Sequence, residues 1–270
     1  MINDQPPILD FSGSVAANYD QYLGPMFFED YAIEVASRID PSTKVALELS
    51  CGTGRVTKHI RQTLPASARL IASDISPYML AVAKEKLNSS AIDWQIIDSQ
   101  HLTFDDNSID LVICCFGYMF VQDKSKAFKE AYRVLRPGGM LLISTWDKLE
   151  YNEASNVFRK TVKNYFGDSL PETYKLPFSM NDPTIIKEQL HNTGFTKINT
   201  DVVDKNSRCA TAKEAAYGLV QGGSLFNEII KRNPAWLEEI TTAVENELKE
   251  KYGAAPMIAP MRAIISQAFK

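Results

Sequence analysis

Between Val45 and Trp146, short apolar runs of strand length alternate with stretches of helix length, and that alternation restricts the chain to few folds. Val45-Ala-Leu-Glu-Leu49 is a nearly continuous apolar run closing on Gly52 and Gly54, the pattern of a buried parallel strand that ends in a tight turn. A helix is predicted from Val56 to Leu64. Leu70-Ile-Ala72 is a second run, closed by Ser73-Asp74, after which Ser76 supplies an N-cap and Pro77 a first-turn proline for a helix to Leu87. Further strands are predicted at Trp94–Ile97, Ile109–Cys115 and Met140–Trp146. A helix from Lys126 to Leu135 is expected to stop at Pro137-Gly138-Gly139. Strands joined by helices in this way require right-handed crossovers. The predicted class is α/β, a doubly wound, Rossmann-like, mostly parallel sheet with helices on both faces.

Outside this stretch the alternation loosens. A helix is expected from Glu29 to Arg38, preceded by the aromatic segment Tyr19, Tyr22, Phe27, Phe28. Residues 151–180 read as aromatic-rich and irregular, with a helix from Ala154 to Phe166. Asp182-Pro183 caps a helix to His191, Phe195–Val203 suits a sixth strand, and helical patterns cover Thr211–Leu219 and Pro234–Lys251. Met261–Phe269 fits either a strand or a helix. One domain is expected, with a helical lid over the sheet's carboxyl edge.

Charge and cysteines exclude several classes. Against 33 acidic residues there are 29 basic ones, a net charge of −4 with no Lys/Arg block, so nucleic acid is not an expected partner. Cys51, Cys114, Cys115 and Cys209 have the spacing of neither a disulfide framework nor a zinc site, and no metal is expected. The first residues lack a signal-peptide pattern, and no apolar run approaches the ~18 residues of a membrane span. The expectation is a cytoplasmic protein.

In a doubly wound sheet, ligands bind outside the carboxyl ends of the strands. Gly52 and Gly54 end the first strand and allow the backbone to approach a ligand closely, although such a pair also occurs at ordinary strand–helix junctions. Asp74 ends the second strand, twenty residues after Gly54, where a carboxylate can take both hydroxyls of a ribose. Asp98 follows the third strand. Taken singly, each acid could be a solvated strand end or a helix cap; together they converge on one crevice. The dinucleotide fingerprint needs a third glycine where Thr57 stands, and no Walker lysine follows the turn. None of the eleven tyrosines has a lysine four residues later, a further mark against a dehydrogenase. Glu48 beside the turn repels a pyrophosphate and suits a cationic amino acid moiety, which favours S-adenosylmethionine (SAM) as the ligand.

Glu48-Leu-Ser-Cys-Gly-Thr-Gly54, Asp74-Ile-Ser-Pro-Tyr-Met-Leu80, Asp98, Asn107-Ser-Ile-Asp-Leu-Val112 and Arg133-Val-Leu-Arg-Pro-Gly-Gly139 occur in that order. In this the chain resembles class I SAM-dependent methyltransferases, especially the ubiquinone/menaquinone-biosynthesis type and its methyltransferase type 11/25-like relatives. The resemblance holds register from Tyr19 to Trp146, and more loosely through Gly194-Phe195 and Pro260-Met-Arg-Ala263. It implies a lid at residues 1–40, a SAM-binding core at 41–150, and remaining sheet and substrate-lid helices at 151–270. By position, it implies that Ser50, Cys51, Gly52 and Gly54 wrap the methionyl part while Glu48 attracts its ammonium. Asp74 would bind the ribose, Ile75 and Met79 the adenine face, and Asp98 and Ser99 the adenine amino group and ring edge. Cys115 and Phe116 would line the sulfonium side, and Tyr19 would close over the cofactor. Ser50 departs from the family's usual glycine or alanine; its small hydroxymethyl group is expected to be tolerated.

SAM brings its own activated methyl group, so such a protein's main task is in-line placement of an acceptor, worth ~7–11 kcal/mol of barrier. No general base is assigned: His101 lies near the cofactor edge, while His59 and His191 sit in predicted helices. Tyr22, Tyr118, Phe120 and Trp146 are expected to form an apolar acceptor pocket, since aromatic faces tolerate a cation, though ordinary packing explains them as well. The expected activity is methyl transfer to a small, apolar or aromatic molecule, releasing S-adenosylhomocysteine (SAH). A non-catalytic SAM/SAH-binding protein and, less favoured, an NAD-dependent oxidoreductase are the alternatives.

Overall fold

The computed structural model describes residues 11–270; the first ten residues of the expected lid lie outside it. The chain opens with α1 (Val15–Asn18), a π-helical stretch (Tyr19–Phe28) and α2 (Glu29–Ala36). Then follow β1 (Val45–Leu49), α3 (Arg55–Thr63), β2 (Arg69–Asp74), α4 (Pro77–Leu87), β3 (Ile92–Ile96), β4 (Ile109–Cys115), α5 (Lys124–Val134) and β5 (Leu135–Trp146). The remainder is α6 (Glu153–Phe166), α7 (Pro183–Thr193), β6 (Thr196–Cys209), α8 (Ala212–Gln221), α9 (Phe226–Arg232), α10 (Trp236–Tyr252) and β7 (Met257–Phe269).

The local signals act as expected. Ser76 caps α4 by accepting from the Met79 N–H ahead of Pro77, and Asp182 caps α7 by accepting from Thr184 and Ile185. Leu47, Leu70, Ile71 and Ile109 are fully buried, as strands covered on both faces require. The seven strands lie in the order β3-β2-β1-β4-β5-β7-β6. β1 to β5 run parallel, whereas β7 is antiparallel to both β5 and β6. The chain winds outward from β1 to β3, then returns to start β4 on the other side of β1. The switch point therefore lies between β1 and β4, and the crevice there is where a doubly wound sheet takes its ligand.

One reading changes, one left open is decided, and one element is new. Pro137-Gly138-Gly139 does not separate a helix from a strand; β5 already begins at Leu135, and the tripeptide sits in a bulge where the pairing shifts between Ile109–Leu135 and Leu111–Met140. Met257–Phe269 is a strand, because it fills the gap between β5 and β6 and is buried along most of its length. Helix α9 was not expected, being only seven residues long.

Candidate active site

The turn after β1 is strained in a way that shapes the crevice. Ser50, Gly52 and Gly54 have φ of 54°, 55° and 78°. Glycine adopts such angles freely, but a residue with a Cβ loses roughly 1–2 kcal/mol there. Ser50 is held by its surroundings: its hydroxyl hydrogen-bonds the buried Cys114 thiol. A Cβ on Gly117 would lie 2.4 Å from the Ser50 Cβ, so the turns after β1 and β4 meet with no room for a side chain. Among the described non-glycine residues, Phe116 also has positive φ, 55°. The two strained residues thus follow the two strands that flank the switch point.

Asp74 ties the crevice together. Its Oδ2 accepts from Gly52 N at 2.8 Å and its Oδ1 from Ser76 N at 2.8 Å, which locks the glycine turn to the start of α4. Asp74 is 8% exposed, and burial pushes its carboxyl above the ordinary range despite the backbone N–H groups that oppose the rise. Glu48, 1% exposed, accepts from Thr57 Oγ1 at 2.6 Å. Burial, with Asp74 nearby, pushes the Glu48 carboxyl up to about 8. Thr57 stands where a dinucleotide-binding turn has its third glycine; here that position anchors a carboxylate. Glu48 and Asp74, both buried, form no ion pair among the described residues, an arrangement that fits a positively charged ligand.

The rim beyond Asp74 is apolar and open. Ile75 is 58% exposed, Tyr78 53% and Ile96 65%, while Met79 lies on the buried face of α4. Asp98 accepts from Gln100 N at 2.9 Å, and His101 Nδ1 lies 3.4 Å from its Oδ2; Ser99 is buried beside it. His101 also contacts Lys126.

At the ends of β4 and β5 the site is aromatic. Phe116 stacks on Trp146 with ring centroids 4.1 Å apart, and Phe28 and Tyr31 pack edge-on against Phe116 at 5.4 and 5.6 Å. Phe27 meets Trp146 at 6.0 Å, and Tyr19 stacks on Phe28 at 5.3 Å. The Tyr19 hydroxyl is raised by burial and then by the charge of Asp74. Cys115 pairs in register with Ser144, and burial drives its thiol up, which leaves it a poor nucleophile.

The four expected acceptor-pocket residues do not come together. Tyr118 and Phe120 form a single helical turn after Gly117 that points the Tyr118 ring at Phe128 of α5, 4.7 Å away, in the core. Its buried hydroxyl has no hydrogen-bond partner among the described residues. Tyr22 packs against Tyr217 of α8 at 4.9 Å, and Phe120 is half-buried. Of the four, Trp146 belongs to the cluster. Tyr31 was missed, although Phe27 and Tyr31 are spaced four apart, which places them on one helical face.

A methyltransferase-domain family profile matches residues 47–143, from β1 into β5. The ubiquinone/menaquinone biosynthesis C-methyltransferase UbiE of Hydrogenovibrio crunogenus is 35% identical over 174 residues, 60% of this chain and 66% of that protein. The match thus spans just under two thirds of that relative. Phosphoethanolamine N-methyltransferase 2 of Haemonchus contortus, solved with S-adenosyl-L-methionine, superposes with a TM-score of 0.61 at 17% identity, covering 99% of this chain and 60% of that one. The [4+2]-cyclase SpnF superposes with a TM-score of 0.57 at 18% identity, covering 95% and 93%. At these identities the structural likeness speaks for the fold. The profile match makes residues 47–143 similar to a methyltransferase domain, and the superpositions show the same overall fold.

Proposed function

We propose that this chain binds SAM in the crevice outside β1, β2 and β3 and transfers its methyl group to a small apolar or aromatic acceptor. The observation that carries the reading is the pair of buried carboxyls, Glu48 and Asp74, beside a glycine turn whose backbone Asp74 itself holds. The cofactor supplies an activated methyl group on a cationic sulfur. Asp74 would accept from the ribose hydroxyls, the open Ile75–Ile96 rim, with Asp98 and Ser99, would take the adenine, and Glu48, protonated near neutral pH in the ligand-free chain, would attract the ammonium by ionising as the cation arrives. The rings of Phe116, Trp146 and Phe28, backed by the buried Tyr31, would keep water from the sulfonium side. Positioning then supplies most of the rate, and no side chain is needed to generate the electrophile.

The fold alone does not impose this chemistry, since a [4+2]-cyclase shares it. A binder without turnover therefore stays as the second reading, and an NAD-dependent oxidoreductase is disfavoured because Thr57 and buried Glu48 occupy the place of a pyrophosphate-binding turn. Thermal unfolding with SAH, and with NADH as the control, tests the cofactor. A ligand at ~100 times its dissociation constant adds about 2.7 kcal/mol, which raises the melting temperature by several degrees. A shift with NADH and none with SAH overturns the reading. Methyl transfer from SAM in a screen of small acceptors then separates the enzyme from the binder.

A further inference from the structure

The segment that carries Tyr19 is held on two sides by different forces. On one side it packs against α8: Tyr22 lies on Tyr217, and a Cβ on Gly218 would come within 2.6 Å of the Tyr22 Cβ. On the side of the glycine turn it is held by polar contacts. Asp20 Oδ1 accepts from Thr53 Oγ1 at 2.6 Å and pairs with Lys86. Arg55, the first residue of α3, donates through one terminal nitrogen to the Asp20 carbonyl at 3.0 Å and through the other to Glu29 Oε2 at 2.6 Å. His59 Nε2 lies 2.8 Å from the other oxygen of Glu29. The guanidinium rests on Gly24, where a Cβ would fall 2.5 Å from its Nε, and that Nε is itself buried without a hydrogen-bond partner among the described residues.

We propose that Arg55 is a positioning residue: by bridging Asp20 and Glu29 it latches the Tyr19–Phe28 segment, and Tyr19 with it, onto the glycine turn. The hydrogen bonds of Arg55 go to Asp20 and Glu29, so it acts through the segment it clamps. Its fork geometry lets one side chain grip Asp20 within the segment and Glu29 at the start of α2, nine residues on, which a lysine's single ammonium does less well. The pairs are mostly buried, so solvent ions screen them less than surface pairs. Burial alone would raise the Glu29 carboxyl, but the bonds from Arg55 and His59 outweigh it and hold that carboxyl below its ordinary range. The glycine at position 24 follows from the same geometry, since a methyl group there displaces the guanidinium while leaving every charge in place. A binding site whose lid is already closed binds more tightly in proportion to the closed fraction.

The ligand part of the proposal rests on the SAM reading; the latch itself does not. The test combines hydrogen exchange of residues 15–28 in the ligand-free full chain with calorimetric titration of SAH, for wild type, Arg55→Met, Arg55→Lys and Gly24→Ala. Arg55→Met is expected to speed exchange in that segment with the rest of the sheet unchanged, and to weaken SAH binding about tenfold, the loss of one charge-assisted bond. Gly24→Ala should move both readouts in the same direction with its charges intact, and carries the test if Arg55→Met does not fold. Arg55→Lys should fall between wild type and Arg55→Met. Unchanged exchange in both Arg55→Met and Gly24→Ala overturns the latch. Faster exchange with unchanged or tighter SAH binding overturns the positioning role, the tighter result meaning that the segment obstructs the site. If wild type binds no SAH while the exchange differences appear, the cofactor reading fails and the latch stands.

Discussion

At the ends of β1 to β3 polar groups meet through backbone turns, whereas at the ends of β4 and β5 six rings meet through side chains from segments far apart in sequence. In the first region Asp74 takes the N–H of Gly52 and of Ser76, each within a turn that a strand feeds directly. In the second, Phe116 and Trp146 complete their packing only when Phe27, Phe28 and Tyr31 arrive from the N-terminal segment. The polar half is therefore assembled by the sheet, and the aromatic half by closure over it. Loss of a side chain should reach ligand binding in the first half and global stability in the second.

Trp146→Ala is the strongest way to break that contrast. Removing a buried Trp from its contacts with Phe27, Phe28, Tyr31 and Phe116 should destabilise the chain by about 3–5 kcal/mol in chemical denaturation. SAH affinity of the folded fraction should fall less than in Asp74→Asn; the reverse order would show that the aromatic half binds the cofactor's main contacts.

Glu48 makes the polar half sensitive to pH. Its carboxyl titrates near 8 in the folded chain and in the usual carboxylate range when unfolded. Between those values the folded state holds a proton that the unfolded state has released, so stability is fullest below the unfolded value and declines as pH rises through about 8. Glu48→Gln should abolish that decline, a difference on the order of 5 kcal/mol above pH 8. Melting temperatures of both proteins from pH 5 to 9 measure it, and parallel curves would show that Glu48 is ionised throughout.

Asp74→Asn tests the turn chemistry directly. Asparagine offers one oxygen to two N–H groups and presents its own N–H₂ to the other, so the Gly52–Ser76 bridge is halved. SAH affinity by calorimetry should fall ten- to a hundredfold, or ~1.5–3 kcal/mol. The smallest effect is expected for Ser76→Ala, which removes the α4 cap at a cost of about 1 kcal/mol in denaturation while Asp74 keeps its backbone partners. A larger loss of SAH affinity than of stability would move Ser76 itself into the cofactor site.

The same contrast explains what could be read in the chain before it folds. β1 and α3 follow from an apolar run, two glycines and a helical pattern; α4 follows from Ser76-Pro77; the carboxylates fall at strand ends because strand ends are local. The aromatic cluster was legible only in part. Tyr118 resembles Phe116 in its position after β4, yet Gly117 and the helical turn behind it send that ring into the core against Phe128. Tyr22 sits three residues from Tyr19, yet it faces α8.

The periodicity of apolar residues, the turn residues and the caps determined from sequence alone that a parallel, doubly wound sheet would form and where its crevice would open, because each depends on neighbours within one turn or one strand. Tertiary structure alone decided that β7 inserts antiparallel between β5 and β6, that Arg55 grips the segment ahead of α2, and which aromatic rings face one another. Those outcomes depend on the packing of segments up to some two hundred residues apart, as where Asn18 meets the Gln221 carbonyl, and no local pattern records it.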